Sequence, residues 1–330
     1  MLTKLFSSNS IGSLAILIIL AIILWAKVFV NVIPMHDAFI ASPLYNFVFR
    51  YIGDTRIICG FIAIALIIFE ALLINNILSD NELIPHNSYL AAFIFVFVNS
   101  FFNDLIALNP VLFANLFIII ALWLFLKLYE ENEAYAAIFN IGTLLSVASM
   151  FYFPSILFIL LIWAGFIIYR IFSWREWMIS IIGLLVPYLF LGTYYFWNDC
   201  LFAKISLYKE AFRIIHFTEF SPTGYVYLVM AFFGILLLLS VFRLIFIFNE
   251  KVIKIRKSFS FIIWFFIVSF ISLYISADFG LFGFTMMCLP VTVLLTLYLS
   301  NSGKHFWVEG ILIASSLLII SGRLGLWGFL

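Results

Sequence analysis

Long apolar runs separated by short polar connections constrain the fold of this chain more than any other feature. A membrane-spanning helix needs about 20 mostly apolar residues, whereas the strands of a membrane β-barrel alternate apolar and polar residues. These runs do not alternate. The sequence therefore predicts an all-α, polytopic integral membrane protein with about 11 transmembrane helices (10–12), which lie near residues 11–33, 57–77, 89–107, 111–128, 135–151, 154–172, 177–197, 225–248, 259–276, 280–299 and 307–325. The apolar runs on either side of Pro110 and of Pro154 are tightly spaced. One of these runs could therefore be a re-entrant or broken helix in place of a full span.

The composition leaves no room for a soluble domain. Hydrophobic residues make up 66% of the chain and charged residues 10%, against about 45–50% and about 25% in soluble domains. We therefore expect one transmembrane domain over residues 1–330. The net charge of +1 gives no basic surface for a nucleic acid, so no nucleic-acid partner is expected.

The orientation in the membrane follows from Lys and Arg in the short loops. The first run is too long for a signal peptide and is interpreted as an uncleaved helix. With a cytoplasmic N-terminus, ten basic residues fall inside and six outside, and the cluster between Lys251 and Lys257 contributes most to the difference. The sequence thus predicts a multi-pass protein of the bacterial inner membrane, with its N-terminus cytoplasmic and its C-terminus periplasmic.

The first long external loop, residues 34–56, carries candidate catalytic residues. His36 and Asp37 are adjacent, and Asp54 and Arg56 end the loop. An adjacent His and Asp can act as general base and partner, or ligate a divalent cation. The alternative is structural, with Asp37 capping a helix and Arg56 anchoring the next span at the headgroups. Residues 44–52 suit a short helix along the membrane interface.

The second long external loop, residues 198–224, contains an amphipathic segment. Apolar residues recur at helical spacing from Leu201, with Lys204, Lys209 and Arg213 elsewhere around the helix. Such a helix lies in the membrane interface. Its cations either hold a lipid phosphate through charge-assisted hydrogen bonds or are only attracted to anionic headgroups.

Two carboxylates within or beside the spans are functional candidates, because burying a charge in hydrocarbon is costly. Glu70 lies inside the second span, and Asp104 lies at the end of the third. We expect both to face a polar cavity together with Asp54 and Arg56. A transport path normally carries several ionisable groups, and these spans hold few, so transport is the least favoured function.

The stretch from Asn109 to Trp177 resembles the GT-C superfamily of membrane glycosyltransferases, which use polyprenyl-phosphate-linked sugars. The similarity lies in the Asn109-Pro110 helix start, the small-residue run from Gly142 to Ser149, and Tyr152-Phe-Pro154-Ser155. The chain also resembles bacterial polytopic families without an assigned activity. The resemblance implies a GT-C-like core over residues 35–200, additional helices over 201–330, and short juxtamembrane helices in the external loops.

Carried over to this sequence, the resemblance implies a catalytic Asp37 with His36 beside it. Lys204, Lys209 and Arg213 are candidates for the donor phosphate. The resulting hypothesis is an inverting glycosyltransferase with a polyprenyl-phosphate sugar as its lipid partner and a divalent cation as an optional cofactor. The alternatives are a non-enzymatic membrane subunit or lipid-binding scaffold of a cell-envelope complex, bound to other membrane proteins, and a transporter.

Overall fold

The structure is a computed structural model, and it is all-helical in the residues that it describes. These are residues 11–29, 42–53, 55–85, 88–102, 105–128, 134–213, 224–247, 252–275, 282–301 and 305–324. They contain thirteen α-helices, two short 3₁₀ segments (Ala26–Phe29 and Phe153–Phe158) and no strand. The helices are α1 (Ile11–Trp25), α2 (Pro43–Ile52), α3 (Arg56–Asp80), α4 (Leu90–Val98), α5 (Pro110–Lys127), α6 (Tyr135–Phe151), α7 (Ile159–Tyr169), α8 (Trp174–Trp197), α9 (Leu201–Arg213), α10 (Gly224–Ile247), α11 (Ile253–Ile275), α12 (Phe282–Asn301) and α13 (His305–Arg323).

Seven of the described helices are long and apolar enough to cross a membrane. They are α1 with the following 3₁₀ turn, α3, α5, α8, α10, α11 and α12. Helix α6 and the segment Phe153–Tyr169 are apolar but shorter. The polytopic helical membrane fold is therefore confirmed. The predicted number of about 11 spans is not confirmed, because the described part of the chain contains seven helices of sufficient length.

Helix α4 is the clearest departure from the predicted spans. It has nine residues, so it is about 14 Å long, less than half of a hydrocarbon core of about 30 Å. Asn99 Nδ2 donates to the Phe95 carbonyl at 2.9 Å, and Ser100 Oγ donates to the Val96 carbonyl at 2.6 Å. Irregular backbone at membrane depth is tolerated where protein surrounds it, and Asn99 and Ser100 are both buried.

Helix α5 begins where its sequence favours a helix start. Asn109 has extended backbone, and its Oδ1 accepts a hydrogen bond from the Leu112 N–H at 3.0 Å. Pro110 occupies the first helical position, where its missing N–H costs nothing. This N-cap fixes the start of α5, and the sequence had placed a helix start there.

Helices α6 and α8 run parallel and approach each other through glycine. Gly142 of α6 lies against the Ser180 carbonyl, and Gly183 of α8 lies against the Phe139 carbonyl. Further along the same direction, Ser149 contacts Tyr188 at the side-chain level. Parallel α6 and α8 require the Phe153–Tyr169 segment between them to return across the bundle.

Candidate functional site

Helix α2 packs at the end of the bundle where α5 begins and α6 ends. The Tyr45 hydroxyl donates to the Leu108 carbonyl at 3.3 Å, and its ring lies 6.3 Å from the ring of Phe113. The Phe113 ring stacks on Phe151 with a centroid distance of 5.2 Å. Burial raises the pKa of the Tyr45 phenol, with a smaller contribution from Cys59. Tyr45 is thus a neutral anchor that fixes α2 at this end.

Helix α9 packs at the same end of the bundle. The ring of Tyr208 lies 5.6 Å from Phe153, which follows α6 directly. Burial raises the pKa of the Tyr208 phenol, and the nearby phenols of Tyr195 and Tyr188 raise it further. The two short helices of the two long loops, α2 and α9, therefore lie at the same end of the molecule.

A polar pair inside the bundle lies beneath α9. The hydroxyl oxygens of Ser149 and Tyr188 are 2.6 Å apart, and Ser149 Oγ donates its proton to the Ser146 carbonyl at 2.7 Å. Because a serine hydroxyl has one proton, the Tyr188 phenol must be the donor to Ser149. We call Ser149, Tyr188, Tyr195 and Tyr208 the tyrosine cluster.

Lys204, one of the predicted phosphate-binding residues, contacts this cluster. Its Nζ lies 5.9 Å from the centre of the Tyr195 ring, within the range of a cation–π contact. Lys204 is half-buried and Lys209 is exposed. The backbone of Arg213 ends α9, and its side chain lies outside the described part. Lys204 and Lys209 thus share one short helix at the tyrosine cluster.

Arg56 and Glu70 do not lie together. Arg56 is the exposed first residue of α3, and Glu70 lies fourteen residues further along the same helix and is fully buried. Fourteen residues of helix correspond to about 21 Å. The Glu70 carboxylate oxygens have no hydrogen-bond partner within the described residues. The structure therefore does not bring these two residues together, and a polar cavity at either of them stays a prediction.

The remaining predicted site residues, His36, Asp37, Asp54 and Asp104, lie outside the described residues. Their catalytic and cavity roles stay predictions. Among the residues that the structure does describe, no group of three or more His, Cys, Asp or Glu side chains could hold a metal ion. The role of a divalent cation beside Asp37 therefore stays a prediction as well.

Sequence reasoning missed the residues that form the centre of this site. The tyrosine cluster was not singled out, although Tyr188 and Tyr195 are seven residues apart and so share one face of α8. Spacing along one helix was the available signal. The contact of Tyr208 with Phe153 joins two distant segments, and no local pattern in either segment predicts it.

Fold and site together define an all-helical, membrane-embedded protein with a basic, tyrosine-lined surface at one end of its bundle. The chain belongs to a family of unknown function, DUF6427, whose family model matches residues 1–322. No curated protein and no solved structure matches the chain.

Proposed function

We propose that this protein is an inverting membrane glycosyltransferase that takes a polyprenyl-phosphate-linked sugar at the outer face of the bacterial inner membrane. The observation that carries the proposal is the common location of α2 and α9, shown by the contacts of Tyr45 with Phe113 and of Tyr208 with Phe153. One helix follows Asp37 by six residues, and the other bears Lys204 and Lys209. A transferase of this type needs its carboxylate and its donor phosphate near each other.

The proposed topology has eleven crossings, with the N-terminus cytoplasmic and the C-terminus periplasmic. In this arrangement α2 and α9 lie along the outer interface, and the other eleven helical segments cross. The short α4 crosses together with the residues that flank it. The parallel course of α6 and α8 supports this alternation, since one returning segment lies between them. The Lys251–Lys257 cluster then falls on the cytoplasmic side, as basic loops do.

The proposed reaction uses Asp37 as general base. The Asp37 carboxylate takes the proton of the acceptor hydroxyl while the acceptor oxygen bonds to the anomeric carbon of the sugar. The bond from that carbon to the phosphate oxygen breaks, and the polyprenyl phosphate leaves with the electron pair. Lys204 and Lys209 stabilise the charge that develops on the departing phosphate. A base of this kind contributes about 10²–10⁴ to the rate.

A scaffold would bind a partner helix through a face of small residues. The run from Gly142 to Ser149 on α6 is such a face. In the structure α8 of the same chain covers that face, because Gly142 packs on the Ser180 carbonyl and Ser149 pairs with Tyr188. A partner would therefore have to use another surface.

The proposal is tested by mass spectrometry of the lipids that co-purify with the full-length protein in mild detergent. The variants are Asp37→Asn and Lys204→Gln, with Lys127→Gln as the matched control. Lys127 also lies over an aromatic ring, 4.0 Å from the centre of Trp123, but at the opposite end of α5 from Phe113. Charge and aromatic contact are thus matched, and only the location differs.

We expect a polyprenyl phosphate or its sugar conjugate to be enriched on the wild type and on Lys127→Gln. The conjugate should accumulate on Asp37→Asn, where transfer stops, and fall at least threefold on Lys204→Gln. Bulk phospholipid alone on all four proteins would contradict the proposal. Equal loss on both lysine variants would show that α9 provides no specific site.

A further inference from the structure

A lateral groove separates the first and last helices of the bundle. Its volume is about 430 Å³, within the range of about 300–1,000 Å³ that is typical of ligand sites. Residues 16 to 24 of α1 form one wall, over about 12 Å of helix. Exposed isoleucines at the rim, such as Ile19 and Ile320, show that the groove is open to the side. It is lined by Ile16, Ile19, Leu20, Ile23, Leu24, Phe97, Ser316, Ile319 and Ile320.

One arginine lies at the end of this apolar groove. Ser316, Ile319 and Ile320 form a stripe on α13, and Arg323 is the next residue on that stripe, since helical neighbours recur every three or four positions. The Arg323 Nη2 donates to the carbonyl of Leu24, which itself lines the groove. The guanidinium thus crosses from α13 to α1 where the groove ends.

The charge of Arg323 has no acidic partner among the described residues. Its Nε is buried and makes no hydrogen bond there, and the neighbouring phenol of Tyr225 donates to the Phe101 carbonyl at 2.9 Å. A guanidinium has five N–H donors in a fork that matches phosphate oxygens. Among the described residues the hydrogen bond of this guanidinium goes to Leu24, so further N–H groups of its Nη atoms can bind an anion at the mouth of the groove.

We propose that this groove binds one anionic phospholipid of the surrounding membrane leaflet, with an acyl chain between α1 and α13 and its phosphate on Arg323. The apolar walls fit the acyl chain, and the Arg323 cation, which has no acidic partner in the described part of the chain, fits the headgroup, so both ends of one lipid molecule are matched. The lipid joins the first and last helices of the bundle. This site is separate from Lys204 and does not depend on the proposed transferase activity.

Arg243 provides a matched control for Arg323. Its Nη2 also donates to a backbone carbonyl of another helix, that of Asn301 at 2.8 Å. The carbonyl that accepts from Arg323 belongs to Leu24, which lines the groove, whereas Asn301, whose carbonyl accepts from Arg243, does not line it. Removal of Arg243 therefore removes a charge and an interhelical hydrogen bond away from this groove.

The experiment is native mass spectrometry of the full-length protein in mild detergent, titrated with dioleoylphosphatidylglycerol, dioleoylphosphatidylcholine or inorganic phosphate. The variants are Arg323→Gln, Arg243→Gln, and Ser316→Phe, which fills the groove. Leu317→Phe, on an exposed part of the same helix, controls for the added ring. Within the described residues the Ser316 hydroxyl bonds to its own helix, at the Leu312 carbonyl 2.7 Å away, so its replacement breaks no hydrogen bond between described helices.

We expect the wild type to bind one phosphatidylglycerol at least tenfold more tightly than phosphatidylcholine. It should show no binding of inorganic phosphate. Arg323→Gln and Ser316→Phe should each weaken that binding at least tenfold, while Arg243→Gln and Leu317→Phe bind as the wild type does. Equal weakening by both arginine variants would overturn the proposal in favour of diffuse charge attraction. Undiminished binding by Ser316→Phe would overturn it as well, even if Arg323→Gln failed to fold.

Discussion

Two helix contacts in this molecule are built in opposite ways. Helices α6 and α8 meet through glycines, with Gly142 and Gly183 each against a backbone carbonyl of the other helix. Helices α1 and α13 face each other with isoleucines, which leave a groove of about 430 Å³ between them, and Arg323 bridges the end of that groove. The first contact is closed by the chain itself, and the second is open.

The difference shows what holds helices together in lipid. Apolar side chains gain little by leaving lipid for protein, so association depends on close packing and on polar contacts between helices. The glycines of α6 and α8 allow close packing without further help. The wide contact of α1 and α13 has one charged bridge and an apolar gap, which explains why a lipid is proposed there and not at α6–α8.

The largest effect is expected at the closed contact. A β-carbon at position 183 would lie 2.5 Å from the Phe139 carbonyl oxygen, a backbone atom that cannot turn aside. Gly183→Leu should therefore force α6 and α8 apart and destabilise the protein by about 3 kcal/mol. Thermal unfolding in detergent, followed by circular dichroism, measures this loss.

Gly192 is the matched control on the same helix. A β-carbon there meets no atom within 4 Å, and glycine inside a helix costs about 0.5–1 kcal/mol relative to alanine. Gly192→Ala should leave the stability unchanged or raise it slightly, whereas Gly183→Ala should lower it. If the two alanine variants unfold alike, the glycine contact does not stabilise the bundle.

A smaller effect of opposite sign is expected at Glu70, on α3. This helix packs against α4, α5 and α1, and α1 is one helix of the open contact. The Glu70 carboxylate is fully buried, and its oxygens have no partner among the described residues. An unsatisfied buried polar group costs about 1–3 kcal/mol, so Glu70→Leu should stabilise the protein by about that amount in the same unfolding assay.

Glu70→Gln is the control, because it keeps a polar group of equal size and should bring no such gain. A loss of stability in Glu70→Leu would mean that the carboxylate holds a partner such as a cation. That result would revive the transporter hypothesis, which predicts that Glu70→Gln abolishes solute flux.

The sequence predicted helices wherever local pattern suffices. Residues 44–52 and the amphipathic segment from Leu201 were expected to be short helices, and the structure has α2 at Pro43–Ile52 and α9 at Leu201–Arg213. Each predicted apolar run also overlaps a helix of the structure. Length and periodicity are properties of one segment, so no knowledge of the fold was needed for these predictions.

The sequence could not predict features that arise between distant segments. Helix α4 ends at Val98 inside an apolar run, because burial in the bundle allows irregular backbone there. Arg323 and Leu24 are 299 residues apart, and Ser149 and Tyr188 are 39 apart. Neither pair carries a motif, and which helices become neighbours is decided by packing.

The smallest effect is expected from the hydrogen bond within the closed contact. Ser149 and Tyr188 pair at 2.6 Å beyond the glycines along α6 and α8. If close backbone packing dominates, a double-mutant cycle of Ser149→Ala with Tyr188→Phe should give an interaction energy of only about 0.6 kcal/mol, as is common between membrane helices. Tyr188→Phe combined with Ser180→Ala should be additive, because the Ser180 hydroxyl donates to the Trp177 carbonyl and accepts from Trp163 Nε1, and neither bond involves Tyr188. If this interaction energy exceeded the loss of stability in Gly183→Leu, the ranking would be reversed. The polar pair would then be the main support of this contact.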